Sequence, residues 1–458
     1  MSPPIVQIPP TVFEKEIVLT TKLKVATDIS ILGERFDGLD PSHGVFNVTE
    51  QLLRRLCQRD DLEITAVGLY GQDPLASSIK SLLYLEHSPA LACSFQNTFS
   101  VDLGLTKLYA RVFHASLSGE FDRMPAARRA FLRSARAVLY RLAYQYRGVS
   151  VRRTFDSRGF DVFHCPHLDP PAREVTGDLP RVITVYDLIP VVRPDFVPPR
   201  VTDAFKNYLA GIDVRRDWVV CISEFTRQEF CEYTGMSPAR CFVAPLAAGE
   251  SFHPILDRQV IAATRASYGI PEAKYFLTLA APQPRKNLAH LIRSFFRLLA
   301  ERQCPDLYLV LAGSKAQGWM YEEIFAAVES APFVHRSRVI FTGYVADQDL
   351  PALYTGCTGF IFPSLYEGFG LPPLEAMACG APVITSNSTS LPEVIGEAGL
   401  MVDPTSVDAL SEAMMMLLDD ENLRLELRHK GITRASEFSW KRCADETVRA
   451  YQAATAGR

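Results

Sequence analysis

Residues 362–384, FPSLYEGFGLPPLEAMACGAPVI, constrain this chain most, because they hold a strand end, a glycine loop and a helix start in immediate succession. The apolar triplet Phe360-Ile361-Phe362 ends a buried strand, and Pro363-Ser364 stops it. Gly368 and Gly370 leave a loop without side-chain bulk, so a ligand can approach the backbone. Pro372 and Pro373 suit the first turn of a helix, where missing N–H groups cost nothing. That helix continues through 374–379, and Gly380 ends it.

The unsatisfied N–H groups of such a helix start, with the positive end of its dipole, suit a phosphate or another anion. Glu367 lies before the loop and Glu375 one turn into the helix, so the pair brackets a ligand whose phosphates sit on the helix end. Ionised carboxylates only accept hydrogen bonds, which suits them to sugar and ribose hydroxyls. Taken singly, Glu375 reads as a complement to the helix dipole and Glu367 as a solvated loop acid. Together, two acids separated by seven residues with Gly-Phe-Gly-Leu-Pro between them resemble the signature of the retaining glycosyltransferases of family 4, which adopt the GT-B fold. The resemblance implies that Glu367 contacts hydroxyls of the donor sugar and Glu375 the ribose, with Gly368, Phe369, Gly370 and Leu371 around the donor.

At 458 residues, 48% hydrophobic and 22% charged, the chain is long enough for two domains of similar size. A net charge of −4 argues against general nucleic-acid binding. No apolar run approaches the ~18–20 residues of a membrane-spanning helix. The start, MSPPIVQIPPTVFEKEI, lacks the pattern of a signal peptide, so a cytoplasmic protein is expected. Ten cysteines are scattered without a CxxC pair; Cys221 and Cys357 sit in apolar segments as small buried hydrophobes do. His164-Cys165-Pro166-His167 is the one cluster with metal-ligand character, and without a second ligand pair nearby it is read as metal-free.

Residues 1–21 read as a poorly ordered extension, and 22–250 as the first domain. Strands are expected at 24–30, 62–70, 160–164, 182–188, 218–223 and 241–245, with a helix at 48–56. This rhythm indicates a parallel sheet wound with helices, whose ligands gather at the C-terminal strand ends. Gly44 stands just ahead of the first helix and is either a phosphate contact or a plain turn glycine. Between 70 and 157 the sequence is helical and irregular. Within it, residues 123–155 hold nine arginines and no lysine or acid; the stretch is either a contact for anionic lipid or a solvated surface helix. His164 and Tyr186-Asp187 occupy strand ends. The resemblance implies a site beside the reacting sugar at Tyr186, where the family often has histidine; His164 is a partial substitute or a core histidine, and Asp187 a site acid or a turn cap.

A link over 247–254 leads to a second series, 255–440, with strands at 275–280, 307–312, 339–341, 382–386 and 399–402. The loop after the first of these carries Arg285-Lys286, either a solvated basic turn or a clamp for a diphosphate. Their presence in one α/β domain with Glu367 favours the clamp, which is also their role in the resembling family. There too, backbone groups near Val345 hold the base. Asp347-Gln348-Asp349 precedes a helix at 350–354 and reads as a cap rather than a metal site. Residues 406–437 are helical, and 441–458 form a helix that in the family crosses back to the first domain.

The expectation is therefore α/β, a GT-B arrangement of two Rossmann-like domains with parallel sheets facing across a cleft. The implied activity is a retaining, metal-independent glycosyltransferase that needs no cofactor and moves a hexose from a nucleotide sugar to an acceptor hydroxyl, in cell-surface polysaccharide or lipopolysaccharide synthesis. Glu367, Arg285, Lys286, His164 and Asp187 are its candidate catalytic residues. Because Tyr-Asp-Leu-Ile-Pro at 186–190 resembles a subclass of bacterial polysaccharide mannosyltransferases, GDP-mannose is the expected donor. The expected partner is a glycan or lipid-linked acceptor at the inner face of the plasma membrane, reached through 123–155. The alternatives are a sugar-nucleotide epimerase and a catalytically weak nucleotide-sugar-binding protein.

Overall fold

Short β-branched and apolar runs alternate with longer amphipathic ones in both halves of the chain, and each half winds into a parallel sheet. The computed structural model describes residues 22–457 apart from 35–43, 71–73, 97, 101–111, 114–124, most of 126–151, and 154, 168, 282, 303, 305 and 314–318. The extension at 1–21 and most of the arginine-rich stretch 123–155 lie outside the described residues.

The first sheet begins with β1 (Leu23–Asp28), β2 (Leu62–Val67) and β3 (Ser94–Phe95). Next, β4 (Phe99–Ser100) and β5 (Arg152–Arg153) pair antiparallel in a separate ribbon. Then β6 (Val162–Cys165), β7 (Arg181–Val185), β8 (Trp218–Cys221) and β9 (Cys241–Val243) complete seven strands in the order β3-β2-β1-β6-β7-β8-β9. The second sheet holds β10 (Lys274–Leu279), β11 (Leu307–Ala312), β12 (Val339–Gly343), β13 (Gly359–Phe362), β14 (Val383–Ser386) and β15 (Leu400–Val402) in the order β12-β11-β10-β13-β14-β15. All neighbours in both sheets run parallel. Helices cover both faces, so central strands such as β6 and β13 are buried along their whole length.

Each sheet grows outward from its first strand and then returns to that strand's other side. The switch points fall between β1 and β6 and between β10 and β13, the places where open α/β sheets bind their ligands. The helix after β10, Leu288–Glu301, shows what holds a layer in place: Leu288, Leu291, Ile292, Phe295, Leu298 and Leu299 are buried on one stripe. Each contributes about 1.5–3 kcal/mol by burial, and Phe295→Ala would cost ~3–5 kcal/mol.

Several boundaries differ from those expected. Residues 94–95, 99–100 and 152–153 form strands too short to show an alternating pattern. Strands β2 and β7 end before their apolar runs do, because Leu69 and Leu188 are buried in the following loops. The helical span 406–437 is two helices, Val407–Asp419 and Glu421–Ser436, divided where Asp420 leaves helical geometry and its carboxylate accepts from Leu423 N–H at 2.9 Å. The last helix, Trp440–Ala456, packs on β7, β8, β9 and the Gly44–Cys57 helix of the first domain. Among the described residues no helix is long and apolar enough to cross a membrane.

Candidate active site

The loops after β10 and β13 meet at the switch point of the second sheet. Pro284–Lys286 makes a single 3₁₀ turn, and Asn287, at a φ of 58°, turns the chain into the next helix. The Asn287 amide donates to Pro363 O at 3.2 Å and Pro404 O at 2.8 Å, and Leu365 N–H donates to Arg285 O at 2.7 Å. These bonds stitch the loops together and bring Arg285, Lys286 and Glu367 to one place.

Glu367 is only 7% exposed. Its Oε2 accepts from Arg285 Nη1 at 2.5 Å and its Oε1 from Lys286 Nζ at 2.6 Å. Burial raises its carboxyl, but Lys286 and Arg285 outweigh that and hold it below its ordinary value. Burial lowers the Lys286 ammonium to about 8 despite the pull of Glu367. Two cations thus share one carboxylate, and the cluster keeps a net positive charge for an anion. Removing one partner from such a buried group costs ~3–5 kcal/mol.

The glycine loop packs against the first domain. Thr389 Oγ1 accepts from Glu367 N–H at 3.1 Å, and Ser390 Oγ donates to Glu367 O at 2.9 Å and Phe369 O at 2.8 Å. Gly368 lies so close to the first domain that a Cβ there would stand 2.1 Å from the Tyr186 carbonyl oxygen. Gly370, at a φ of +120°, takes the left-handed cap position before the Leu371–Ala378 helix. Leu371 opens that helix, half-buried, with the free N–H groups of its first turn beside the loop.

Across the cleft, Tyr186 donates its hydroxyl to Pro166 O at 2.8 Å. Asp187 accepts from Ile189 N–H at 3.1 Å, so it does cap the turn. Burial raises its carboxyl, with Arg285 the strongest opposing charge, and its Cβ lies beside Gly368 of the glycine loop. Glu375 is half-buried, and among the described residues its carboxylate makes no hydrogen bond or ion pair. Burial first and Asp347 second raise its carboxyl to about 8.

Two expected contacts, those of the His164 and Phe369 side chains, are corrected. His164 is fully buried, its Nε2 3.0 Å from Thr184 Oγ1 and its Nδ1 2.7 Å from the Tyr451 hydroxyl. Burial lowers it to about 3, so it is a neutral core residue under the last helix and no part of the cleft. The Phe369 ring points away from the loop into the core, edge-on to Phe438 at 5.9 Å, leaving only its backbone beside a ligand. Val345 is likewise buried, which leaves its backbone as the part able to meet a base. Gly44 opens its helix in an exposed position where a Cβ would meet nothing, so no close approach there demands glycine.

Among the described residues no group of three His, Cys, Asp or Glu is placed to hold a metal. Asp349 occupies the cap position of the Leu350–Gly356 helix, but its carboxylate accepts from the Tyr268 hydroxyl at 2.7 Å instead of a helix N–H. All ten cysteines are free thiols. The sequence reading missed Thr389 and Ser390, whose hydroxyls hold the glycine loop and which no local pattern marks.

Residues 260–435 match the family described as Glycosyl transferases group 1, and 106–247 match Glycosyltransferase Family 4. The chain is 32% identical over 327 residues to an O-antigen chain mannosyltransferase B of Escherichia coli, covering 70% of this chain and 82% of that protein. It is 37% identical over 273 residues to the serotype-specific mannosyltransferase WbdA of Escherichia coli, covering 59% of this chain and 33% of that longer protein. A glycosyltransferase from Rickettsia africae superposes with a TM-score of 0.62 at 14% identity, over 95% of this chain and all (100%) of the other. Anabaena HepE, solved with UDP and glucose, superposes with a TM-score of 0.59 at 15% identity, over 94% of this chain and 99% of its own.

Proposed function

This chain belongs to the family 4 glycosyltransferases, and from that premise we propose that it transfers mannose, with retention at the anomeric carbon, from a nucleotide sugar to a hydroxyl of a cell-surface polysaccharide or lipid-linked glycan. The enzyme is a glycosyltransferase with a GT-B fold; the sugar, the donor and the residue roles are the proposal. One observation carries it: Arg285, Lys286 and Glu367 converge at the β10/β13 switch point.

In the proposed reaction the bond from the anomeric carbon to the diphosphate oxygen breaks, and its electron pair leaves with the diphosphate. The acceptor oxygen bonds to the same face of that carbon and passes its proton to the leaving phosphate. Arg285, Lys286 and the helix start at Leu371 meet the growing negative charge, the kind of preorganised stabilisation that usually contributes most to catalysis. Fixed cations in this position can do the work of a metal. Glu367 orients the sugar hydroxyls, Glu375 the ribose hydroxyls, and Asp187 faces the reacting sugar from the first domain.

Mannose is chosen on the similarity to the two mannosyltransferases of Escherichia coli, and GDP-mannose as donor on the 186–190 pentapeptide. The same reading sets the enzyme at the inner face of the plasma membrane, with residues 123–155 as its contact to anionic lipid. Thermal stabilisation by GDP, UDP and dTDP, with and without EDTA, tests the donor class, because a ligand of the folded state raises apparent stability. Selective stabilisation by GDP, insensitive to EDTA and lost in Arg285→Ala, is the expected result. Selective stabilisation by another nucleotide would replace the donor.

A further inference from the structure

Tyr366 precedes Glu367 and is buried, yet its polar end belongs to the other domain. Its hydroxyl donates to Oε2 of Glu229, on the Glu224–Thr234 helix, and its ring meets Phe225 of that helix edge-on at 5.7 Å. The same helix makes two more cross-domain contacts: Thr226 Oγ1 donates to Gly368 O at 3.1 Å, and the Glu393 carboxylate accepts from Glu224 N–H at 3.1 Å and Phe225 N–H at 3.4 Å. Burial raises both the Glu229 carboxyl and the Tyr366 phenol, so the phenol remains a donor across the neutral range.

Apolar contact alone has no direction, whereas a hydrogen bond to a carboxylate in a desolvated place sets one geometry. The proposed chemistry needs no phenol at this point, and a phenylalanine would fill the same space. We infer that Tyr366 and Glu229 form a cross-domain latch that positions the Glu367 loop against the first domain, so that Arg285, Lys286 and Glu367 stand opposite Asp187. Both are positioning residues, and the inference rests on the reading of Glu367 as the acid that holds the sugar. Separation of the domains must break this bond, which makes the pair a determinant of how long the assembled site persists.

Hydrogen exchange at residues 223–229 and 365–370, together with kinetics on GDP-mannose, tests the latch in Tyr366→Phe, Glu229→Ala, Glu229→Gln and the Tyr366→Phe/Glu229→Ala double variant. Tyr366→Phe and Glu229→Ala should each speed exchange in both segments and lower kcat about tenfold or more, with donor KM changed far less. Glu229→Gln, which keeps an acceptor oxygen, should recover most of the rate, and the double variant should be no worse than either single one. Additive losses in the double variant, or unchanged exchange in Tyr366→Phe, would overturn the latch. If the wild-type protein turns over no nucleotide sugar, the functional reading fails on its own, and the exchange rates still decide the latch.

Discussion

Lys286 donates to Glu367 at 2.6 Å while its ammonium lies 4.5 Å from the centre of the Phe362 ring. An aromatic face and a shared carboxylate make a desolvated seat for a cation, and burial is what brings Lys286 down to about 8. Lysine is charged below that value and neutral above it. Turnover that relies on the charge should therefore be full below about pH 8 and decline as pH rises through it. Arginine stays protonated throughout, so Lys286→Arg should move the alkaline limb of kcat/KM upward, as a pH–rate profile of both proteins would show. Lys286→Ala should cost roughly 10²–10³ in kcat.

Glu375 gives a signature in stability rather than in turnover. Its folded value, raised to about 8, lies above its ordinary 4.5, so the folded state holds a proton that the unfolded state releases. This contribution is fully present below about pH 4.5 and is lost as pH rises towards 8. Glu375→Gln cannot ionise. The Tm of this variant relative to wild type should climb across that window, and parallel Tm curves would count against the raised, unpaired carboxyl.

Gly368→Ala tests the contact between the domains. A methyl group 2.1 Å from the Tyr186 carbonyl cannot be housed unless the domains shift apart. The variant should lose most of its turnover, on the order of 10²-fold for a displacement of about 1 Å. Nucleotide binding, which we propose for the second domain, should survive in a calorimetric titration.

Tyr451→Phe separates structure from chemistry at His164. Loss of the hydroxyl leaves the buried Nδ1 without its 2.7 Å partner and should cost about 1–3 kcal/mol of stability. The kcat of the folded protein should be unchanged within about twofold, since the imidazole lies outside the cleft; a large fall in kcat without a fall in Tm would restore His164 to the site.

The fold could be read from the chain because both sheets are buried on two faces, so their strands appear as apolar runs between helical stretches. The Glu367 loop was legible because its glycines, prolines and acids stand close together in one stretch: Gly370 needs its φ, and Gly368 admits a backbone from the first domain. His164 was misplaced since a strand end can face either the cleft or the core, and the choice was made by Tyr451, 287 positions away. Phe369 was misplaced for a similar reason, its ring being drawn to Phe438. Tyr366, Glu229 and Glu393 act only through the meeting of two domains, which no local pattern records.

Incubation of the purified protein with GDP-mannose and a mannose-terminated oligosaccharide, with NMR of the product's anomeric signal, tests the central claim most directly. The account predicts GDP release coupled to a new mannoside of unchanged anomeric configuration, lost in Glu367→Ala while that variant keeps the wild-type fold by circular dichroism. Inverted configuration, or full transfer by Glu367→Ala, would contradict it.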